Sequence, residues 1–192
     1  MRALRPIWLA ALLWSLAACG DLGPGGTSDE PNVVKALALY DGDVVVRGPR
    51  GYCVDADSVR RQPSNRLVLL GSCESLSGEP GVTVPPALIV VNVADKQPGR
   101  AQPTAATIAA SAAPKKPLAA IDTDGLALVH LDAGGELALP GGDPRYWRGG
   151  MVINDHFVSL AVYTPRGSTL AGTSGRRFIT DLARALRSAS AQ

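Results

Sequence analysis

The N-terminal apolar run most constrains this chain, because it decides which residues are available to fold. Arg2 and Arg5 give a positively charged start, and twelve residues from Ile7 to Ala18 follow that are apolar apart from Ser15. As a helix this run would be about 18 Å long, whereas the hydrocarbon core of a bilayer is ~30 Å thick. A charged start and a short apolar run are typical of a secretory signal peptide. We therefore expect residues 1–18 to be removed before the mature protein folds.

The residues at the end of the run are Leu16-Ala17-Ala18-Cys19. They resemble the lipobox of bacterial lipoprotein precursors, in which an aliphatic residue and two small residues precede a cysteine. The resemblance implies cleavage before Cys19, a diacylglycerol on its sulfur and usually an acyl chain such as palmitate on its new amino terminus. Two or three acyl chains anchor a protein stably in a membrane, at ~0.8 kcal/mol per buried methylene. The alternative is a plain secretory signal cleaved after Ala18.

Residues 19–32 are predicted to be a lipidated, flexible tether. After Cys19 this segment has four glycines, two prolines, three acidic residues and a single apolar side chain, too little to form a core. Residue 20 is glycine; in enterobacterial sorting an aspartate there retains a lipoprotein in the inner membrane. We therefore expect a periplasm-facing protein of the bacterial cell envelope, at the outer rather than the inner membrane.

The charge balance argues against nucleic acid as a partner. Without residues 1–18 the chain has 17 basic and 17 acidic residues, so its formal net charge is zero. Binding to a phosphate backbone needs a concentrated basic field that displaces counterions, and the total charge provides none.

Two cysteines remain once Cys19 is lipidated. Cys53 and Cys73 form an even pair in an oxidising compartment, which predicts a structural disulfide. Redox pairs usually sit two residues apart, and no further cysteine or nearby histidine completes a zinc site. A redox or metal-binding pair is the alternative to the disulfide.

Residues 33–192 are predicted to form a single domain. A turn-rich composition, with 21 glycines and 15 prolines, argues against a helical bundle. Strands are predicted at residues 43–47, 50–55, 67–73, 87–93, 126–131, 146–153 and 157–163. Residues 56–61 have room for one helical turn, and Asn154-Asp155-His156 is a hairpin turn between the last two strands. Phe157, Ser159, Ala161 and Tyr163 alternate with Val158, Leu160 and Val162.

The chain ends in a predicted amphipathic helix, capped by Thr173 or Ser174. Its apolar stripe consists of Phe178, Ile179, Leu182, Ala183 and Leu186. The resulting fold class is α+β, an antiparallel sheet with the C-terminal helix packed on it in an α/β/α sandwich-like arrangement. Residues 97–117 are rich in alanine and proline, and we expect a mobile insertion or a weak alanine helix there, within the one domain.

Three segments carry a resemblance to a group of proteobacterial envelope lipoproteins. They are Gly51-Tyr52-Cys53-Val54-Asp55, Val68-Leu69-Leu70-Gly71-Ser72-Cys73 and the strand and helix from Asn154 to Leu186. Their order is also similar to that of the PsbP/Mog1-like α/β/α sandwich. These families consist mostly of assembly factors and accessory subunits, so the resemblance implies a binding role.

The residues that could carry chemistry form no recognisable catalytic motif. His130 and His156 read as an edge-strand and a turn histidine, next to Asp132 and Asp155. Asp122, Asp124 and Asp132 lack the spacing of a calcium loop. The glycine-rich residues 167–175 lack a P-loop lysine, so capping of the last helix is favoured over anion binding. We expect no enzyme activity, no metal and no cofactor.

Two functions remain. A membrane-anchored accessory or interaction protein of an envelope complex predicts a flat aromatic patch, for which Tyr146, Trp147 and Tyr163 are the candidates. A periplasmic small-molecule-binding protein, or an enzyme without a familiar motif, predicts a concave pocket with converging polar groups. The lack of a catalytic motif favours the interaction protein.

Overall fold

The computed structural model describes residues 33–191. The predicted signal peptide, Cys19 and the predicted tether lie outside the described residues. The described strands, in chain order, are β1 (Val33–Val34), β2 (Ala36–Leu39), β3 (Val44–Arg47), β4 (Tyr52–Gln62), β5 (Asn65–Ser72), β6 (Leu88–Ala94), β7 (Pro117–Thr123), β8 (Leu126–Leu131), β9 (Tyr146–Ile153) and β10 (His156–Tyr163). The α-helices are α1 (Cys73–Ser77), α2 (Ala105–Ser111), α3 (Gly135–Ala138) and α4 (Thr173–Ser190).

Eight of these strands form one antiparallel sheet, in the order β1-β4-β5-β6-β10-β9-β8-β7. Strands β2 and β3 form a separate hairpin. The order shows that the chain builds one half of the sheet with β4–β6, crosses to the far edge at β7, and returns so that β10 fills the gap beside β6. The predicted α+β class, an antiparallel sheet with a C-terminal helix, is confirmed.

The main core lies between one face of the sheet and α4. The helix contributes Ile179, Leu182 and Leu186, all fully buried, against the sheet residues Leu128 and Leu160. The apolar stripe predicted for the helix is therefore correct, with Phe178 half-buried at its margin. The predicted cap is wrong: Thr173 and Ser174 already lie inside α4, and Gly172 precedes it without a side-chain cap.

A smaller core lies on the opposite face, where α2 packs over β8. Ala105 and Ile108 of the helix contact a cluster that includes Ala127 and Val129. Strand β8 is buried on both faces because successive side chains point to opposite sides of a strand, so Leu128 faces α4 while its neighbours face α2.

Strand β9 passes between the two helices with a pair of glycines. A Cβ on Gly150 would lie 2.7 Å from Ile108 Cδ1, and one on Gly149 would lie 3.3 Å from Ile179 Cδ1. Any larger residue at position 150 would push α2 away from the sheet, so Gly150 allows α2 to pack closely against β9.

Helix α2 lies within the alanine- and proline-rich residues 97–117, so the helical alternative for this segment is confirmed. The Thr104 side chain accepts a hydrogen bond from the backbone N–H of Thr107 in a capping box. Asp122 Oδ1 accepts another from the N–H of Ala105 at 2.7 Å. These bonds satisfy donors at the start of a short helix that its alanine content alone would not hold.

The predicted hairpin of the last two strands is confirmed. Asn154 and Asp155 form the turn with φ of 48° and 67°, as a two-residue hairpin turn requires. Val158, Leu160 and Val162 are buried on the α4 face, and the alternate residues face the other side.

The helical turn predicted at residues 56–61 is wrong. Strand β4 continues to Gln62 and pairs with β5, with an irregularity between Asp55 and Arg60. At this irregularity the Ser58 hydroxyl accepts a hydrogen bond from the N–H of Leu69 at 2.9 Å and donates to the Asp55 carbonyl. The Ser58 side chain takes the place of a missing backbone hydrogen bond between β4 and β5, so the segment remains extended.

Candidate functional site

The predicted aromatic interaction patch is wrong, because two of its three residues are buried. Tyr146 is 4% exposed and Trp147 is 3% exposed. As neighbours on β9 they point to opposite faces of the sheet. Tyr146 stacks on half-buried Tyr163 in the α2 face, with ring centroids 4.9 Å apart. Trp147 lies in the main core under α4.

Both histidines are structural groups of the interior rather than turn or edge residues. The imidazole of His130 stacks on Trp147, with ring centroids 4.5 Å apart, and its Nε2–H donates to the Ala171 carbonyl at 2.8 Å. His156 is fully buried and its Nδ1–H donates to the Ala94 carbonyl at 2.8 Å. The two rings share no partner, so the structure does not bring them together.

The three acidic residues around β8 have structural roles, and two of them accept hydrogen bonds from backbone N–H groups. Asp122 caps α2, Asp132 accepts the N–H of Lys116 at 3.2 Å, and Asp124 forms a left-handed turn with Gly125. Within residues 33–191 no group of three histidine, cysteine or acidic side chains is placed to hold a metal ion.

Residues 167–175 are occupied by local hydrogen bonding. The Ser168 side chain accepts the N–H of Leu170 at the start of a 3-10 turn. The carbonyl groups of Ala171 and Gly172 accept from His130 and from the Trp147 indole, the latter at 2.8 Å. The segment connects α4 to the sheet.

Among the carboxyl groups of the described residues, Asp143 has the pKa that lies furthest from its ordinary value, and its side chain is 4% exposed. Its oxygens accept from the guanidinium of Arg145 at 3.0 Å and 3.1 Å, and from the backbone N–H groups of Arg145 and Gly167. The Arg145 side chain is the main cause that lowers the pKa of Asp143 to about 2. A carboxylate stabilised in the folded state in this way contributes to folding.

Asp143→Asn is expected to lower the free energy of unfolding at neutral pH by about 2 kcal/mol. Because the folded pKa lies below the unfolded one, the contribution is complete above the unfolded pKa and is lost as the pH falls through about 2. Urea unfolding at a series of pH values should show the gap between wild type and variant closing in acid. Asp181→Asn, which removes an exposed ion pair with Arg184, should change little. An equal difference in the free energy of unfolding in acid and at neutral pH would contradict a stabilising role for the Asp143 carboxylate.

A basic cleft of about 800 Å³ lies between the β2–β3 hairpin, the loop around residue 80 and the C-terminal end of α4. Its charged lining residues are Lys35, Arg47 and Arg50, and no acidic side chain of the described residues lines it. All three are exposed, and none of them forms an ion pair within residues 33–191. The cleft therefore presents positive charge that no ion pair within residues 33–191 balances.

The walls of the basic cleft are largely apolar. Pro49 and buried Tyr52 line one side, and Pro80 and Val82 line the other, where Val82 is 43% exposed. The disulfide between Cys53 and Cys73 joins β4 to the start of α1, and Cys73 itself lines the cleft. The predicted disulfide is confirmed.

The sequence reasoning missed the three cations of the cleft. Their convergence depends on the β2–β3 hairpin, in which Ala36 pairs with Arg47 and so brings Lys35 next to it. The sequence does contain a pattern that predicts this hairpin, because Asp41-Gly42 stands between two apolar runs. Arg50 joins them through the turn at Pro49.

No protein-family model, curated protein or solved structure matches this chain. The structure itself defines an α+β protein with an antiparallel sheet and a C-terminal helix. Among the described helices, none is both long enough and apolar enough to cross a bilayer.

Proposed function

We propose that this chain is a lipid-anchored accessory protein of the bacterial cell envelope, which binds an acidic segment of a partner protein in the basic cleft. The observation that carries the binding role is a group of three exposed cations in one cleft, which form no ion pair and meet no acidic lining side chain within residues 33–191. The lipobox resemblance at Leu16–Cys19 supports the anchor. The proposal assigns no catalytic residue, no cofactor and no nucleic acid to the protein.

An acidic protein segment suits the cleft better than a lipid surface does. A membrane is flat, whereas Lys35 and Arg47 lie in a concave surface that an inserted chain can fill. The apolar walls, formed by residues such as Pro80 and Val82, offer contact area for side chains between the acidic ones. Complementary charge would steer the partner and fix its register.

The position of the basic cleft is compatible with an anchor at Cys19. Lys35 lies sixteen positions after Cys19, so it can lie at most about 55 Å from the membrane-attached cysteine. A partner that is itself fixed in the envelope would be within this range, and a shared membrane raises the effective concentration of both proteins.

The proposal includes a periplasm-facing location, at the outer rather than the inner membrane, and an α/β/α sandwich-like arrangement as in PsbP/Mog1-like domains. The disulfide supports an oxidising compartment. The placement of Ile108 and Ile179 against Gly150 and Gly149, one from each side of β9, supports the layered arrangement.

Affinity purification from crosslinked cells tests this proposal. The wild type is compared with Cys19→Ser, with the charge reversal Arg47→Glu/Arg50→Glu, and with a matched reversal Arg176→Glu/Arg177→Glu near the start of α4. We expect a stoichiometric envelope protein to co-purify with the wild type and the α4 variant, and to be reduced at least tenfold in the cleft variant. Cys19→Ser should leave the membrane fraction and lose the same partner.

Two outcomes would overturn the proposal. In the first, the Cys19→Ser variant remains in the membrane fraction to the same extent as the wild type, so Cys19 does not anchor the protein. In the second, the cleft variant retains the partner but no longer sediments with vesicles of anionic phospholipid. The ligand of the cleft would then be a lipid headgroup.

A further inference from the structure

Strand β7 forms one edge of the main sheet and has no strand on its outer side. It pairs with β8 and ends the strand order, so its outer side meets no other strand of the described residues. Asp124-Gly125 forms a two-residue turn between β7 and β8, with φ of 45° and 68°. In such a hairpin the residues that flank the turn exchange their backbone hydrogen bonds, and bonded pairs alternate along the ladder. Thr123 therefore bonds to β8, and the N–H and C=O groups of Asp122 and Ala120 point outward.

The middle of this edge is apolar and exposed to solvent. Leu118 is 55% exposed, one of three large apolar residues within residues 33–191 that are exposed. Ala120 is exposed as well, whereas Ile121 packs against the main core. A proline or a charge in mid-strand usually blocks an edge, and residues 118–121 (Leu-Ala-Ala-Ile) contain neither. The edge is therefore a template on which a further strand can pair.

The charges of this edge are separated between its two ends. Lys115 and Lys116 stand before β7, and Asp122 and Asp124 stand at its other end. Asp122 is already engaged, because its Oδ1 accepts the N–H of Ala105. Lys116 and Asp124 are exposed, and neither forms an ion pair within residues 33–191. A strand that is positive at its start and negative at its end complements an antiparallel copy of itself, and repels a parallel one.

We propose that two copies of this chain associate through β7, with the two strands antiparallel and Ala120 opposite Ala120 of the other copy. The outward N–H and C=O groups of the two alanines then bond to each other. The same register places Lys116 of each copy opposite Asp124 of the other, which forms an ion pair at each end. Leu118 of each copy lies diagonal to Ala120 of the other, so both lose contact with water. The result is one continuous antiparallel sheet with twofold symmetry.

The helices leave room for this arrangement. Neighbouring strands lie about 4.8 Å apart, so the two β8 strands would be separated by about 14 Å across the paired β7 strands. Helix α2 packs over β8, and packed helices need about 8–10 Å between their axes. The α2 helices of the two copies therefore do not collide.

Disulfide cross-linking in intact cells tests this register. The two Ala120 Cα atoms would be about 5.5 Å apart, which suits a disulfide, whereas the two Leu118 Cα atoms would be about 14 Å apart. Under a mild oxidant we expect Ala120→Cys to form at least tenfold more disulfide-linked dimer than Leu118→Cys, its matched control on the same exposed edge. Cys19 is common to both variants and cannot cause the difference. Equal yields at the two positions, or no dimer from Ala120→Cys, would overturn the inference.

Charge reversal tests the two ion pairs. In the Ala120→Cys background, Lys116→Glu and Asp124→Lys should each lower the dimer yield at least tenfold, because like charges then face each other. Co-expression of these two variants with different tags should restore the cross-link between them, because the new glutamate of one copy faces the new lysine of the other. Restoration would also show that both variants fold. Undiminished yields in the single reversals would overturn the pairing of Lys116 with Asp124. Neither measurement uses the basic cleft or the lipid anchor, so this inference and the proposed function can fail separately.

Discussion

Trp147→Ala is expected to lower the free energy of unfolding by about 3–5 kcal/mol, the largest effect of any single substitution considered for this protein. The indole is 3% exposed and stacks on His130 with an angle of 3° between the two planes. Its N–H donates to the Gly172 carbonyl at 2.8 Å and so attaches the start of α4 to β9. The truncation therefore opens a cavity in the main core and leaves a carbonyl without its partner. Urea unfolding followed by circular dichroism measures the change.

Trp147→Phe is the matched control for the first prediction. The ring remains in the core while the indole N–H is lost, so the destabilisation should be about 1–2 kcal/mol. Had Trp147 been the surface contact that the sequence suggests, the alanine variant would unfold with wild-type stability and would lose partner binding. That result would contradict the placement of this residue.

The predicted aromatic patch fails because side chains alternate between the two faces along β9 as they do along β10. Alternation along β10 correctly separates the buried Val158 and Leu160 from Phe157. The same rule applied to β9 sends Tyr146 and Trp147 to opposite faces, so they cannot form one surface. The expectation of a flat patch treated the few aromatic residues of the mature chain as a group without applying this constraint.

Most of the strands, the C-terminal helix and the disulfide could be predicted because they depend on local pattern and on counting, whereas the extended course of residues 56–61 and strand β7 could not. The stripe of α4 follows a helical period, and the cysteines form the one pair left beside Cys19. The basic cleft could not be located in this way, and neither could the order of the strands. The pairing of β10 with β6 joins residues more than sixty positions apart, such as Asn92 and Ser159. Nothing in local periodicity determines that strand order.

The basic cleft is assembled by a short hairpin and a loop, and its cations are exposed and independent of the main core. Substitutions of these cations should therefore leave the free energy of unfolding nearly unchanged.

The disulfide is expected to supply the second largest effect. Cys53→Ala/Cys73→Ala should lower the free energy of unfolding by about 3 kcal/mol, because the bond closes a loop across a sequence separation of 20 residues. In a domain of this size the loss corresponds to a fall in Tm of roughly 6–12 °C. Cys53 lies on β4 opposite Gly71, so the bond closes the open end of the β4–β5 hairpin, away from its turn.

Thermal unfolding of the double variant, with and without a thiol reductant, measures this contribution. Reductant should lower the Tm of the wild type to that of the variant and leave the variant unchanged. Cys73 itself lines the basic cleft, so partner capture by the cleft should also weaken when the bond is removed. An unchanged Tm in the double variant would show that the pair does not stabilise the fold. That result would favour the redox alternative for these two cysteines, because reduction of the bond would then not destabilise the fold.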